Sequence, residues 1–305
     1  MGSIEYRGGN GRLRVRKLFT ILSGLAAAGV GSIASAGQAL AAKAEPWQLG
    51  LPDPVTPLAR QMADFHNYWL MPIITVITIF VLILLIYVCW RFRESANPVP
   101  SKTTHHSMLE VLWTGIPVLI LVVMAFPSLK LLYATDAVED SEMTVKIVGH
   151  QWYWEYQYPD HGNFFIEARI AATTEEEAKE QGVYRLMATD EMFVLPADTK
   201  IRLQMTSADV IHNWSVSDFG VRMDTVPGRL NEAWTLIEKP GVYYGFCSEL
   251  CGDAHAFMPI QVQVLPKAEF AAWVEQAQEK YDPVEEAQAP SVSRAVAASP
   301  AQAVE

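Results

Sequence analysis

The chain has 305 residues, of which 50% are hydrophobic and 19% charged, and its formal net charge is -11. Such a length holds about two ordinary domains. The composition excludes a disordered or collagen-like chain, and the acid excess lacks the basic footprint of a nucleic-acid binder. Three cysteines are too few to staple so long a chain as a disulfide framework.

The total charge conceals a division. Residues 1–133 carry 11 Lys/Arg against 6 Asp/Glu, whereas residues 134–305 carry 12 against 28. A greasy, mildly basic first part is joined to a soluble, strongly acidic second part.

Residues 1–41 read as a secretory signal peptide. Arg7, Arg12, Arg14, Arg16 and Lys17 form a cationic start and Leu18 to Val30 a short apolar run, with small residues for cleavage at Ala34-Ser35-Ala36 or Ala39-Leu40-Ala41. A first membrane helix is the alternative, but Gly24, Gly29 and Gly31 interrupt the stretch. Residues 42–67 then form an exported N-terminal segment.

Residues 68–133 are expected to make a transmembrane hairpin with spans at about 68–90 and 110–133. Tyr68 to Trp90 is uncharged, and as a helix it reaches about 34 Å, enough for a hydrocarbon core of ~30 Å. Val111 to Leu129 is a second uncharged run, with Trp113 and Tyr133 near its ends as interfacial anchors. Between the spans, Arg91, Arg93 and Lys102 outnumber Glu94. The positive-inside rule makes that loop cytoplasmic and puts both chain ends outside.

Residues 134–266 contain short apolar or alternating segments: MTVKIVG, VYRLMAT, KIRLQMT, AWTLIE, GVYYGF and PIQVQVL. Pro159-Asp160, Pro196-Ala197-Asp198, Pro227-Gly228 and Pro240-Gly241 punctuate them. Strands of this length and spacing predict an all-β sandwich or small barrel. Thr174 to Gly182 interrupts them as a helical insert, with capping-box spacing between Thr174 and Glu177 and a C-cap glycine. A C-terminal helix is expected over 267–282, with Lys267 to Lys280 amphipathic, followed by a disordered, Ala- and Pro-rich tail at 283–305.

One constellation carries chemistry. Cys247 and Cys251 are followed by His255 and Met258, giving C-x3-C-x3-H-x2-M. Thiolate, imidazole and thioether together select a soft or borderline metal, and the thioether favours copper over zinc. Two cysteines four apart on a loop can bring both thiolates to one point and bridge a pair of metals. Each metal then wants a terminal histidine, of which the cluster holds one; His212, after the strand-like KIRLQMT and a polar turn, can supply the other. A Cys247–Cys251 disulfide and a structural zinc are the competing readings. Cys89, in the first span beside Trp90, reads as a small buried apolar residue.

The order of signal, two-helix hairpin and exported β domain, with Cys247-Ser248-Glu249-Leu250-Cys251-Gly252-x-x-His255-x-x-Met258, resembles subunit II of bacterial cytochrome c oxidase. The resemblance spans about residues 45–280 and includes Gly149-His150-Gln151-Trp152-Tyr153-Trp154 and Asp224-Thr225-Val226-Pro227-Gly228-Arg229-Leu230. It implies a cupredoxin-like barrel with a binuclear copper centre: Cys247 and Cys251 bridging, His212 and His255 each on one copper, Met258 and the Glu249 backbone carbonyl as weak ligands. It further implies Mg2+ on the Glu249 carboxylate at the boundary with subunit I, which holds the haem. Trp152 becomes the electron entrance from cytochrome c, Asp209 an acidic docking position, and Glu110 the cytoplasmic mouth of a proton channel. The expected partners are oxidase subunit I, others such as subunit III, and cytochrome c. The expected location is the bacterial inner membrane, with the copper domain outside.

Two positions depart from the family pattern, Phe246 before the first cysteine and Gln157 after the aromatic run. Neither removes a ligand. Three other readings share features with the chain: a membrane-tethered copper carrier, a quinol oxidase subunit, and a nitrous-oxide-reducing copper enzyme. The first has no use for Glu110, the second lacks the copper ligands, and the third needs a large histidine-rich domain.

Overall fold

A computed structural model describes residues 47–136, 138, 140–281 and 283. The expected signal peptide, and the expected tail apart from Pro283, lie outside the described residues. Pro283 forms an isolated bridge to Phe164.

The first helix starts earlier than the apolar run that marks it. The Thr56 hydroxyl caps it by accepting from Ala59 N at 2.9 Å, and Pro57 takes the first turn, where a missing N–H costs nothing. From there α1 (Pro57–Asp64) continues through a π-helical turn at Phe65–Leu70 into α2 (Met71–Arg91). The second long helix is α3 (Ser107–Asp136). Both are long and apolar enough to cross a membrane, and neither α2 nor α3 buries a residue. Two apolar cylinders whose backbone bonds are satisfied internally suit hydrocarbon, not water.

Ten strands follow. The first sheet contains β1 (Met143–His150), β2 (Tyr153–Tyr158), β3 (Phe164–Ala168), β5 (Lys200–Ser207) and β8 (Asn231–Leu236), in the order β3-β2-β1-β5-β8. The second contains β4 (Phe193–Pro196), β6 (His212–Val216), β7 (Val221–Thr225), β9 (Gly241–Cys247) and β10 (Pro259–Leu265), in the order β4-β10-β9-β6-β7. The β1–β5 and β4–β10 pairs are parallel and the rest antiparallel. This two-sheet sandwich is the all-β class expected.

Alternation decides which side chains form the core. Val145, Ile147, Trp154, Tyr156, Tyr158, Ile201 and Leu203 meet Phe193, Leu195, Trp214, Val216, Ile260 and Val262, all buried. Tyr156 stacks on Phe193 at 4.1 Å between ring centroids. The aromatic run therefore divides: Trp154, Tyr156 and Tyr158 are core, while Tyr153 lies against the Arg169 guanidinium, 3.6 Å from the ring centroid.

The helical insert forms as α4 (Glu175–Gln181), with both arms of the capping box present and Gly182 at φ 67. VYRLMAT is a correction. It is a turn rather than a strand, because its backbone groups pair locally: Val183 N donates to Ala178 O of α4, Ala188 N donates to Tyr184 O within the segment itself, and Leu186 sits at φ 59. Only Thr189 makes a bridge, to Ile170. The last helix, α5 (Lys267–Lys280), buries Phe270, Val274 and Ala277.

The segment before α1 is tied into the sandwich. Val55 N donates to Asp218 O and Glu238 N to Val55 O, both at 3.1 Å. Arg60 forks onto Glu238 with contacts of 2.7 and 2.6 Å.

Candidate metal centre

Strand pairing brings the chemistry together. β6 and β9 are antiparallel with Trp214 opposite Cys247, so His212 at the start of β6 lies beside the end of β9. β10 returns along β9 with Pro259 opposite Phe246, which places Met258 next to Cys247. Cys247 N donates to Met258 O at 3.3 Å and closes the loop. The loop is also held by Asn213, whose carbonyl accepts from Ser248 N at 3.1 Å and whose side chain accepts from Ser248 Oγ at 2.6 Å.

All six expected ligand positions converge. The sulfurs of Cys247 and Cys251 stand 3.9 Å apart. Cys251 Sγ lies 3.5 Å from both His255 Nδ1 and Met258 Sδ. His212 Nδ1 is 3.3 Å from Met258 Sδ, and the Glu249 carbonyl is 3.3 Å from Cys247 Sγ. Ligand atoms of His212, Cys247 and Cys251 all lie within 4.8 Å of one another. His212, Cys247, Cys251 and Met258 are buried, while the Glu249 side chain is exposed. The sulfur separation is almost twice a disulfide bond, and both cysteines are free thiols.

Burial and the neighbouring Cys247 push the Cys251 thiol up to about 12. Two thiolates this close repel unless a cation lies between them, and a coordinated metal reverses that penalty. Thiolate, imidazole, thioether and carbonyl donors, gathered away from water, form a set that fits copper.

The surroundings fix this geometry. His212 Nε2 lies 2.8 Å from Asp209 Oδ1. Burial alone would raise the Asp209 carboxyl, but hydrogen bonds from His212, Val210 N and Gln151 N hold it below its ordinary range. A β-carbon on Gly149 would stand 2.8 Å from His212 Cδ2. Trp152 is half-buried, and its indole N–H donates to the Cys251 carbonyl at 3.2 Å. Gly252, at φ +122, lets that indole approach, since a β-carbon there would meet it at 3.0 Å.

Sequence reasoning missed Gly149, Gln151 and Asn213. The first two lie within Gly149-His150-Gln151-Trp152, where a glycine near the end of a strand marks a close approach; Asn213 left no signal beyond standing next to His212. Asp209, expected as a docking charge, also reaches inward to His212. His150 pairs with Glu155 at 3.1 Å and stacks on Tyr153, away from the cluster's donors. Phe246 is exposed, as are Val210, Ile211, Leu250 and Phe257, so that departure alters the apolar rim of the site. Gln157 is buried on β2 and donates to Glu155. Glu110 lies in the first turn of α3 and accepts from His106 N at 3.3 Å.

Comparison with known proteins gives a consistent set of likenesses. A family model described as "Cytochrome C oxidase subunit II, periplasmic domain" matches residues 143–265, and one described as "Cytochrome C oxidase subunit II, transmembrane domain" matches residues 44–131. The chain is 43% identical over 229 residues to the probable cytochrome c oxidase subunit 2 of Rickettsia bellii (strain RML369-C), covering 75% of this chain and 84% of that protein. It is 42% identical over 239 residues to cytochrome c oxidase subunit 2 of Triticum aestivum, covering 77% and 92%. Among solved structures, the periplasmic domain of subunit II of cytochrome oxidase (CoxB) of Bradyrhizobium japonicum is 45% identical. It covers 48% of this chain and 99% of that one, with a TM-score of 0.44.

Proposed function

The chain belongs to the cytochrome c oxidase subunit II family, and on that premise we propose that it accepts electrons from reduced cytochrome c at a binuclear copper site and delivers them toward haem in subunit I. The observation that carries this reading is the convergence of six donors with spacings of 3.3 to 3.9 Å. Cys247 and Cys251 would bridge, His212 and His255 would each hold one copper through Nδ1, and Met258 and the Glu249 carbonyl would complete the set. When bound, such a pair supplies a one-electron relay.

The chain's own residues do the rest. Buried thiolates offset the metal charge, and the surrounding core excludes water, which limits reorganisation. Trp152 presents an aromatic ring between solvent and the Cys251 carbonyl, the position of an electron entrance. Residues 134–305 carry the strong acid excess, which steers a basic cytochrome and makes association salt-dependent. Asp209 contributes one of those charges at the rim. The exposed apolar residues around the Cys loop fit the centre of a docking patch.

Glu249 turns its carboxylate outward, where a hard ligand suits Mg2+ at the boundary with subunit I. Glu110 opens α3 at the membrane edge, and we assign it to the mouth of a proton channel. The excess of Arg and Lys in the loop between the spans supports a reading in which that mouth faces the cytoplasm of a bacterial cell and the copper domain lies outside its inner membrane. Subunit III is a further expected neighbour.

The test is the composition of the complex that purifies with the full chain. Two coppers per chain together with a haem-bearing subunit are expected. Copper without any haem protein would replace this reading with a membrane-tethered copper carrier.

A further inference from the structure

We propose that Asp209 is a positioning residue that sets the tautomer and orientation of His212 and, with the same carboxylate, anchors the turn that carries Trp152. The proposal rests on the copper reading of His212 and deepens it.

The His212 ring is fully buried, and its two nitrogens face different partners. Nδ1 looks to the sulfur cluster, 3.3 Å from Met258 Sδ, and Nε2 lies 2.8 Å from Asp209 Oδ1. A neutral imidazole has one donor and one acceptor nitrogen, whereas a carboxylate only accepts. The proton therefore sits on Nε2, and the Nδ1 lone pair is left facing the metal position. Gly149 closes the other side of the ring, with no space for a β-carbon.

The carboxylate is itself fixed. Oδ1 also accepts from Val210 N at 2.6 Å and Ser207 Oγ at 3.3 Å, and Oδ2 accepts from Gln151 N at 2.7 Å. Gln151 is the link to the electron entrance. Its side chain donates to the Cys251 carbonyl at 2.8 Å, the same oxygen that accepts from the Trp152 indole. Asp209 thus touches a proposed ligand with one oxygen and the Trp152 turn with the other. A charge serving only to attract a partner needs none of these inward bonds.

The test compares Asp209→Asn and Asp209→Glu with the wild type in the full chain. In the metal-free chain with 15N-labelled histidine, wild-type His212 is expected as the Nε2–H tautomer. Asp209→Asn can present an amide N–H to Nε2 and should populate the Nδ1–H form. In the assembled complex Asp209→Asn should weaken copper retention against a chelator by about ten- to hundredfold and change the copper spectrum, with Asp209→Glu restoring part of the retention. An unchanged spectrum and copper affinity, with only a salt-dependent rise in KM, would reduce Asp209 to a docking charge. Wild-type His212 carrying its proton on Nδ1 would overturn the proposal directly. Failure of the wild-type chain to bind copper would overturn the parent reading, while the tautomer would still decide the role of Asp209.

Discussion

Trp152 donates its indole N–H to the backbone carbonyl of Cys251 at 3.2 Å, so the proposed electron entrance is joined by one hydrogen bond to a proposed bridging residue. Trp152→Phe keeps an aromatic ring and removes that bond. Electron transfer from reduced cytochrome c should slow markedly in stopped-flow measurements, while copper content and the copper spectrum stay as in the wild type. Loss of copper instead would make Trp152 a structural residue.

Gly149 leaves no room against His212. Gly149→Ala would put a methyl group 2.8 Å from His212 Cδ2 and 2.9 Å from Thr225 Oγ1. Overpacking of this kind costs about 1–3 kcal/mol, and here it would also displace the imidazole. Both a lower Tm and a perturbed copper spectrum are expected. A variant with native stability and spectrum would show that the contact relaxes without moving the ring.

Asp218 lies on the short turn after β6, buried, with no hydrogen-bond partner for Oδ1 among the described residues. Burial, reinforced by the Asp53 charge, pushes its carboxyl up to about 7. The folded value lies above the unfolded one, so the folded state holds the proton more tightly. This group is harmless below the ordinary carboxylate range near pH 4 and increasingly destabilising as pH rises through 7. Asp218→Asn should therefore raise Tm at about pH 8 and lose that advantage toward about pH 4. A Tm difference independent of pH would refute a protonated Asp218.

Glu110 accepts a backbone bond at the start of α3, the place of an ordinary helix-terminal acid. Its proposed proton role is separable by substitution. Glu110→Ala should reduce turnover of the assembled oxidase with little change in copper content, measured as oxygen uptake across pH. Unchanged turnover would leave Glu110 as a helix cap alone.

Much of the site was legible because its donors are close in sequence. Five of the six positions lie within Cys247 to Met258, and the spacing of their side chains selects a soft metal. His212 was reachable because the cluster lacked an imidazole, and the Thr174–Glu177 capping box because both partners are local. What sequence reading missed depends on three-dimensional neighbours. Asp209 showed its charge but not that its oxygens turn inward to His212 and Gln151. VYRLMAT has the composition of a strand, yet Gly182 ends α4 and folds the next residues back on it. The start of α1 escaped notice because Thr56-Pro57 caps a polar stretch with no apolar run to mark it.

The central claim is that Cys247 and Cys251 hold two coppers as one electronic unit. The most direct measurement is the electron paramagnetic resonance spectrum of the full copper-loaded chain, taken with its copper stoichiometry. Two coppers per chain and a single unpaired electron delocalised over both nuclei are predicted. One copper per chain with a spectrum localised on a single nucleus would contradict the account.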